Sequence, residues 1–81
     1  MMKLYVETGC PYCAKVLRTV DELSIPIEQK NIADSGVSEE LISLGGKRQV
    51  PYLVDTDEGV QMYESDDIVQ YLRGRFEKAE A

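Results

Sequence analysis

Histidine and tryptophan are missing from this chain of 81 residues, phenylalanine occurs once and cysteine only twice. With no histidine and no third cysteine, the two cysteines make at most half of the four-ligand set that zinc requires. Basic residues are scarce as well: 9 Lys and Arg stand against 15 Asp and Glu, for a net charge of −6. That balance argues against general nucleic-acid binding, which needs a basic face, and it gives no help in attracting anionic substrates. No apolar run approaches the length of a membrane span. Met1-Met2-Lys3 leads directly into a short strand pattern and carries no signal-peptide core. A reducing cytoplasm is therefore the expected location, where a dithiol is more often catalytic than structural. Repeats, linkers and low-complexity stretches are absent too. The expectation is a single domain over residues 1–81, near the lower size limit for a self-sufficient core.

What is present concentrates at Thr8-Gly9-Cys10-Pro11-Tyr12-Cys13, which holds both cysteines three residues apart. An apolar β-type run, Leu4-Tyr5-Val6, leads in, and a helical pattern, Ala14, Val16, Leu17, Val20 and Leu23, leads out. Proline suits the first helical position, where its missing N–H would be unpaired anyway. Cys10 is then the expected N-cap, with Cys13 in the first turn facing back toward it. The unpaired N–H groups and the dipole of a helix start stabilise a thiolate placed there. Cys10 is the candidate attacking thiol and Cys13 the candidate resolving thiol. A structural disulfide and a pair of inert buried thiols are the alternatives, although so tight a loop constrains little of the unfolded chain. A C-x-x-C beside a βαβ pattern is the sequence signal of a thioredoxin-like redox motif.

Lys3 to Val6 reads as the first strand. The first helix runs from Pro11 to near Ser24, stopped by Pro26. Ile27 to Ile32 alternates as a second strand, parallel to the first through a right-handed crossover. After a polar loop, Ser35 or Ser38 is expected to cap a second helix carrying Val37, Leu41, Ile42 and Leu44 on one side, which Gly45-Gly46 ends. Pro51 can stand only at the start of a third strand, Tyr52-Leu53-Val54. The turn Asp55-Thr56-Asp57-Glu58-Gly59 then leads to a partner strand, Val60 to Tyr63. The last helix spans Ser65 to about Phe76, with Ser65 as N-cap and Ile68, Val69, Leu72 and Phe76 turned to the sheet. The tail from Glu77 is polar and expected to fray. Four of the tyrosines (Tyr5, Tyr52, Tyr63, Tyr71) are expected in or around the core. The order β-α-β-α-β-β-α gives an α/β fold, a four-stranded mixed sheet with helices on both faces.

Cys10-Pro11-Tyr12-Cys13 after the first strand, Val50-Pro51 opening the third and an acidic helix start near Asp67 together resemble a glutaredoxin, with its thioredoxin fold. Met62-Tyr63-Glu64-Ser65-Asp66-Asp67-Ile68-Val69 is similar to the glutathione-binding domain of glutathione transferases, and so to the larger, transferase-like glutaredoxins of bacteria. The resemblance covers nearly the whole chain, and it presents the chain as the thioredoxin-fold half of such a protein standing alone. Transferase activity on electrophiles is then not expected, because the helical domain that forms the second pocket lies outside the sequence.

The resemblance implies that Pro51 is a cis-proline facing the dithiol, with the backbone of Val50 pairing with the cysteinyl part of glutathione. It also implies that Glu64 pairs with the γ-glutamyl ammonium, and that the Ser65 hydroxyl and the helix N–H groups receive the γ-glutamyl carboxylate. Asp67 is a second ammonium partner. Arg48, Gln49 and, more weakly, Lys47 serve the glycine carboxylate. Tyr12 packs beside the Cys10 sulfur. Glu7 departs from the pattern, since small glutaredoxins commonly carry Lys or Arg there; a carboxylate opposes thiolate formation and repels the glycine carboxylate. Lys15, one turn up the helix, is placed to offset it. The implied function is glutathione-dependent thiol–disulfide exchange through Cys10 and Cys13, with glutathione as co-substrate and no metal. The expected partners are glutathionylated or disulfide-bonded proteins, with no nucleic acid and no membrane, and the chain is expected to act as a monomer. Two other readings stay open. One is a thioredoxin-like electron carrier served by a reductase enzyme. The other is a dimer bridging an iron–sulfur cluster through Cys10 and two glutathiones.

Overall fold

Leu4, Tyr5 and Val6 need cover on both faces, and two layers of helix supply it. A computed structural model of the chain describes residues 2–76. The element order is β1 (Met2–Val6), α1 (Pro11–Leu23), β2 (Glu28–Asn31), α2 (Val37–Gly45), β3 (Tyr52–Asp55), β4 (Val60–Met62) and α3 (Ser65–Phe76). The strands form one mixed sheet in the order β2-β1-β3-β4. β1 runs parallel to β2, with Leu4 opposite Gln29, and antiparallel to β3, with Leu4 opposite Leu53. β3 and β4 make the expected hairpin, with Leu53 opposite Met62. This is the expected α/β thioredoxin fold, with two strands shortened: β2 starts after Ile27 and stops before Ile32, and β4 stops before Tyr63.

Strand alternation sends side chains to opposite faces, and here it builds two cores. Met2, Leu4, Val6 and Leu53 meet Cys13, Val16 and Val20 of α1 and Ile68 and Leu72 of α3. Val69 and Phe76 pack against the same cluster. Tyr5, Tyr52 and Val54 turn the other way, onto Ile32 and Leu41, with Val37 and Tyr63 at the margin. Each fully buried Leu or Ile contributes about 1.5–3 kcal/mol from apolar burial. As an edge strand, β2 keeps Glu28 and Gln29 exposed, so the apolar residues that flank it do the packing.

α2 differs from expectation in two respects. Its cap is Gly36, at φ 82°, and no side chain caps it; the left-handed backbone needed there suits glycine and not Ser35. Ser38 sits inside the helix, where its Oγ accepts from Arg48 Nε at 3.0 Å. The apolar side is also narrower. Leu41 is fully buried, whereas Ile42 and Leu44 are 43% and 41% exposed. Val37 and Leu41 are one turn apart, and only that spacing faces the sheet. Lys30 of β2 anchors the helix through Glu40, at 2.7 and 2.9 Å. Gly46 caps the C-terminus, as expected. The polar tail from Glu77, expected to fray, lies outside the described residues.

Candidate functional site

Cys10 ends a tight turn. Gly9 takes φ 84°, which a glycine adopts at no steric cost, and the Cys10 N–H donates to the Glu7 carbonyl at 3.2 Å. Thr8 Oγ1 accepts from Asn31 Nδ2 at 2.9 Å, which ties this turn to the end of β2. Pro11 occupies the first helical position and Cys10 is the N-cap. Its sulfur accepts the Cys13 N–H at 3.3 Å, and its carbonyl accepts the Ala14 N–H at 3.0 Å. A thiolate at Cys10 Sγ would therefore sit against a helix N–H, where negative charge is favoured.

The two thiols differ in kind. Both are free. Cys13 is only 1% exposed, whereas Cys10 is half-buried. Burial, reinforced by the hydrogen bond with Cys10, pushes the Cys13 thiol up to about 12, which outweighs the opposite pull of the Glu7 backbone. Cys13 is thus a protonated thiol at neutral pH. It becomes a nucleophile only when something nearby draws its proton away or opens access to it.

Two hollows flank the start of α1. One, of about 360 Å³, is lined by Glu7, Thr8, Cys10, Cys13, Leu17 and Asn31, among others. The other, of about 240 Å³, is lined by Tyr12, Gln49, Val50, Pro51, Tyr63, Glu64, Ser65 and Asp66. Cys10-Pro11 borders the first and Tyr12 the second, so the helix start stands between them. The Val50–Pro51 bond is cis, as the resemblance implies. Tyr12 is 63% exposed beside it.

The second hollow gathers six residues expected from the sequence: Tyr12, Gln49, Val50, Pro51, Glu64 and Ser65. Arg48 and Asp67 are not among its lining residues. Glu64, and not Ser65, holds the capping position of α3, because its carbonyl accepts the Ile68 N–H at 2.8 Å. Ser65 is the first helical residue, which leaves its own N–H among those without an intrahelical partner. Lys15 pairs with Asp66 across the two helices. Tyr63 and Asp66 line the site without having been singled out; their position on either side of Glu64-Ser65 was the available signal. Among the described residues, no group of three or more His, Cys, Asp or Glu could hold a metal ion, and no helix is long and apolar enough to cross a membrane.

Residues 4–80 match the family described as Glutathione S-transferase, N-terminal domain. The chain is similar to Glutaredoxin 2 of Escherichia coli K12, with 37% identity over 71 residues, 88% of this chain and 32% of that protein. It thus spans about a third of the length of the curated relatives it matches. Among solved structures, a glutathione S-transferase from the Antarctic clam Laternula elliptica is 34% identical with a TM-score of 0.80, over 95% of this chain and 36% of that one. Human glutathione-S-transferase T1-1 reaches a TM-score of 0.81 at 24% identity, over 98% of this chain and 34% of that one, a likeness of fold alone.

Proposed function

The chain belongs to the glutathione S-transferase N-terminal domain family, and on that footing we propose that it is a glutathione-dependent thiol–disulfide oxidoreductase working through Cys10 and Cys13. The observation that carries the proposal is the asymmetry of the dithiol. Cys10 Sγ lies at a helix cap and receives the Cys13 N–H, whereas Cys13 is buried and held protonated. Such a pair divides naturally into an attacking and a resolving thiol.

In the proposed cycle, the Cys10 thiolate attacks the glutathionyl sulfur of a protein–glutathione mixed disulfide. A Cys10–glutathione disulfide forms and the protein leaves as a thiolate. A second glutathione thiolate then attacks that glutathionyl sulfur. Oxidised glutathione departs and Cys10 is regenerated. With a protein disulfide, Cys10 attacks and Cys13 resolves, giving up its proton as it does so. The protein gains two electrons, and two glutathiones later reduce the Cys10–Cys13 disulfide.

Glutathione fits this family as substrate. In the proposed pose, the Glu64 carboxylate takes the γ-glutamyl ammonium, with Asp67 as a second partner. Ser65 and the N–H groups of the α3 start take the γ-glutamyl carboxylate. The Val50 backbone pairs with the cysteinyl residue, Tyr12 covers it, and Gln49 offers its amide to the glycine end. Arg48, whose Nε is engaged by Ser38, keeps its other guanidinium N–H groups for the glycine carboxylate. Held in this way, the glutathionyl sulfur approaches Cys10 in one orientation, which is catalysis by positioning. The proposal places this chemistry in a reducing cytoplasm, in a single 1–81 domain acting as a monomer on glutathionylated or disulfide-bonded proteins.

The deciding experiment is reduction of a glutathione mixed disulfide, coupled to glutathione reductase, for the wild type, Cys10→Ser and Cys13→Ser. The expected result is loss of turnover in the first variant and its retention in the second. A wild type inert with glutathione but reducible by a thioredoxin reductase would be a carrier of the thioredoxin type. One that conjugates glutathione to an electrophile without reducing disulfides would be a transferase.

A further inference from the structure

Glutathione, on the reading above, lies between two walls that the chain supplies from different places. One is the Gln49-Val50-Pro51 segment after α2, and the other is Glu64-Ser65 at the start of α3. Lys47, Arg48 and Gln49, just before the first wall, are exposed, and a loop of that kind loses conformational freedom on binding unless it is ordered beforehand. One side chain reaches across. The Tyr63 hydroxyl donates to the Lys47 carbonyl at 2.9 Å and accepts the Lys47 N–H at 3.0 Å. It thereby holds both polar groups of one loop residue, much as a paired strand would. Its ring is fixed in turn against Tyr52 of β3, with centroids 4.4 Å apart, and Lys47 Nζ stands 5.5 Å from the ring centroid.

A second observation points the same way. Gly45, the last residue of α2, is not among the glycines at positive φ, so its backbone does not demand glycine. Its surroundings do: a Cβ there would lie 2.1 Å from the Tyr63 hydroxyl oxygen and 2.7 Å from the ring carbon that bears it. The missing side chain at 45 makes the space in which the hydroxyl reaches the loop.

We propose that Tyr63 is a positioning residue for glutathione, a strut whose hydroxyl orders the Lys47–Pro51 wall against the Glu64-Ser65 wall, with Gly45 as its seat. The inference rests on the glutathione reading of the site. It concerns binding and not sulfur chemistry, so the effect belongs in KM.

Tyr63→Phe keeps the ring and removes both contacts. Its KM for glutathione is expected to rise about three- to thirty-fold, with a smaller change in kcat. Gly45→Ala should act similarly by displacing the hydroxyl. The decisive comparison places Gly45→Ala in a Tyr63→Ala background, where the obstructed space is empty. The alanine at 45 should then cost less than about twofold, because the two changes share one contact. Wild-type KM in Tyr63→Phe would overturn the inference, as would an equal Gly45→Ala penalty in both backgrounds, which is what general destabilisation produces. A wild type that shows no saturable dependence on glutathione overturns the reading of the site itself, and the inference with it.

Discussion

Asp55→Ala should destabilise the fold far more than its place at a strand-to-turn junction suggests. Asp55 is fully buried. Its Oδ2 accepts the Tyr71 hydroxyl at 2.6 Å and lies 3.4 Å from Arg75 Nε, and its Oδ1 accepts the Asp57 N–H at 3.1 Å. Arg75 continues to Glu58 at 3.0 Å, so one carboxylate fastens the β3–β4 turn to the end of α3. Removing it leaves the Tyr71 hydroxyl and the Asp57 N–H without that acceptor. A hydrogen bond to a buried charge is worth about 1.5–3 kcal/mol, and the Asp57 N–H bond, in an exposed turn where water can take over, is counted at about 1 kcal/mol. Arg75 adds little to this, because its guanidinium is partly exposed and water can replace the pair. The sum is about 2–4 kcal/mol, or about 10–25 °C in Tm for a domain of this size. The pH dependence gives a second check. Burial alone would raise the Asp55 carboxyl, but the Tyr71 hydroxyl, the Arg75 cation and the Asp57 and Glu58 N–H groups together hold it below the ordinary range. A depressed folded value means that the contribution is present above about pH 4 and disappears as the pH falls through that value. Urea melts of both proteins should therefore show the largest gap at neutral pH and a narrowing gap in acid. A neutral-pH gap under about 0.5 kcal/mol, or one unchanged in acid, would refute the network. In a Tyr71→Phe background the cost of Asp55→Ala should shrink, since the two share a bond.

Four further outcomes are expected. Iodoacetamide at neutral pH should alkylate Cys10 alone in the folded protein, with Cys13 reacting only after unfolding; equal labelling by mass spectrometry would contradict the burial argument. Because the Cys13 thiol is raised to about 12 when folded, its contribution to stability should fade as the pH climbs from about 9 toward 12, and Cys13→Ala should flatten that alkaline decline. Glu7→Lys should speed Cys10 alkylation about two- to tenfold at neutral pH and lower the KM for glutathione, and unaltered rates would remove Glu7 from the electrostatics of the site. On α2, Leu41→Ala should cost about 2–4 kcal/mol and Ile42→Ala less than about 0.5 kcal/mol, as measured by denaturant melts; similar losses would mean that the helix faces the sheet differently.

The chemistry-bearing end of the molecule was legible because its instructions are local. Cys10-Pro11-Tyr12-Cys13 between an apolar run and a helical pattern fixes the N-cap, the first-turn proline and the facing thiols within a few residues. Element order was legible for the same reason, since Pro26, Gly45-Gly46 and Gly59 interrupt periodic segments. The cis bond at Val50–Pro51 and the gathering of Glu64-Ser65 with it were foreseen only through resemblance; nothing in the local residue types demands either.

What the tertiary structure alone decided are the pairings between residues distant in the chain. Ser38 looked like a cap and serves Arg48 instead, while the cap falls to Gly36 through its backbone. Lys15 finds Asp66 at a separation of 51 residues. Asp55 read as a turn residue and proves to be the buried anchor for Tyr71 and Arg75. Tyr63 read as one more core aromatic, yet its hydroxyl holds Lys47. Ile42 and Leu44 looked like core and face solvent, because the width of a helix's buried stripe is set by what lies opposite it. By itself, then, the sequence determined the elements, their order and the dithiol, since propensity, capping and periodicity act over a few residues. Which polar groups meet, and which apolar ones are covered, depends on how the packed layers bring remote segments together, and no short-range pattern encodes that.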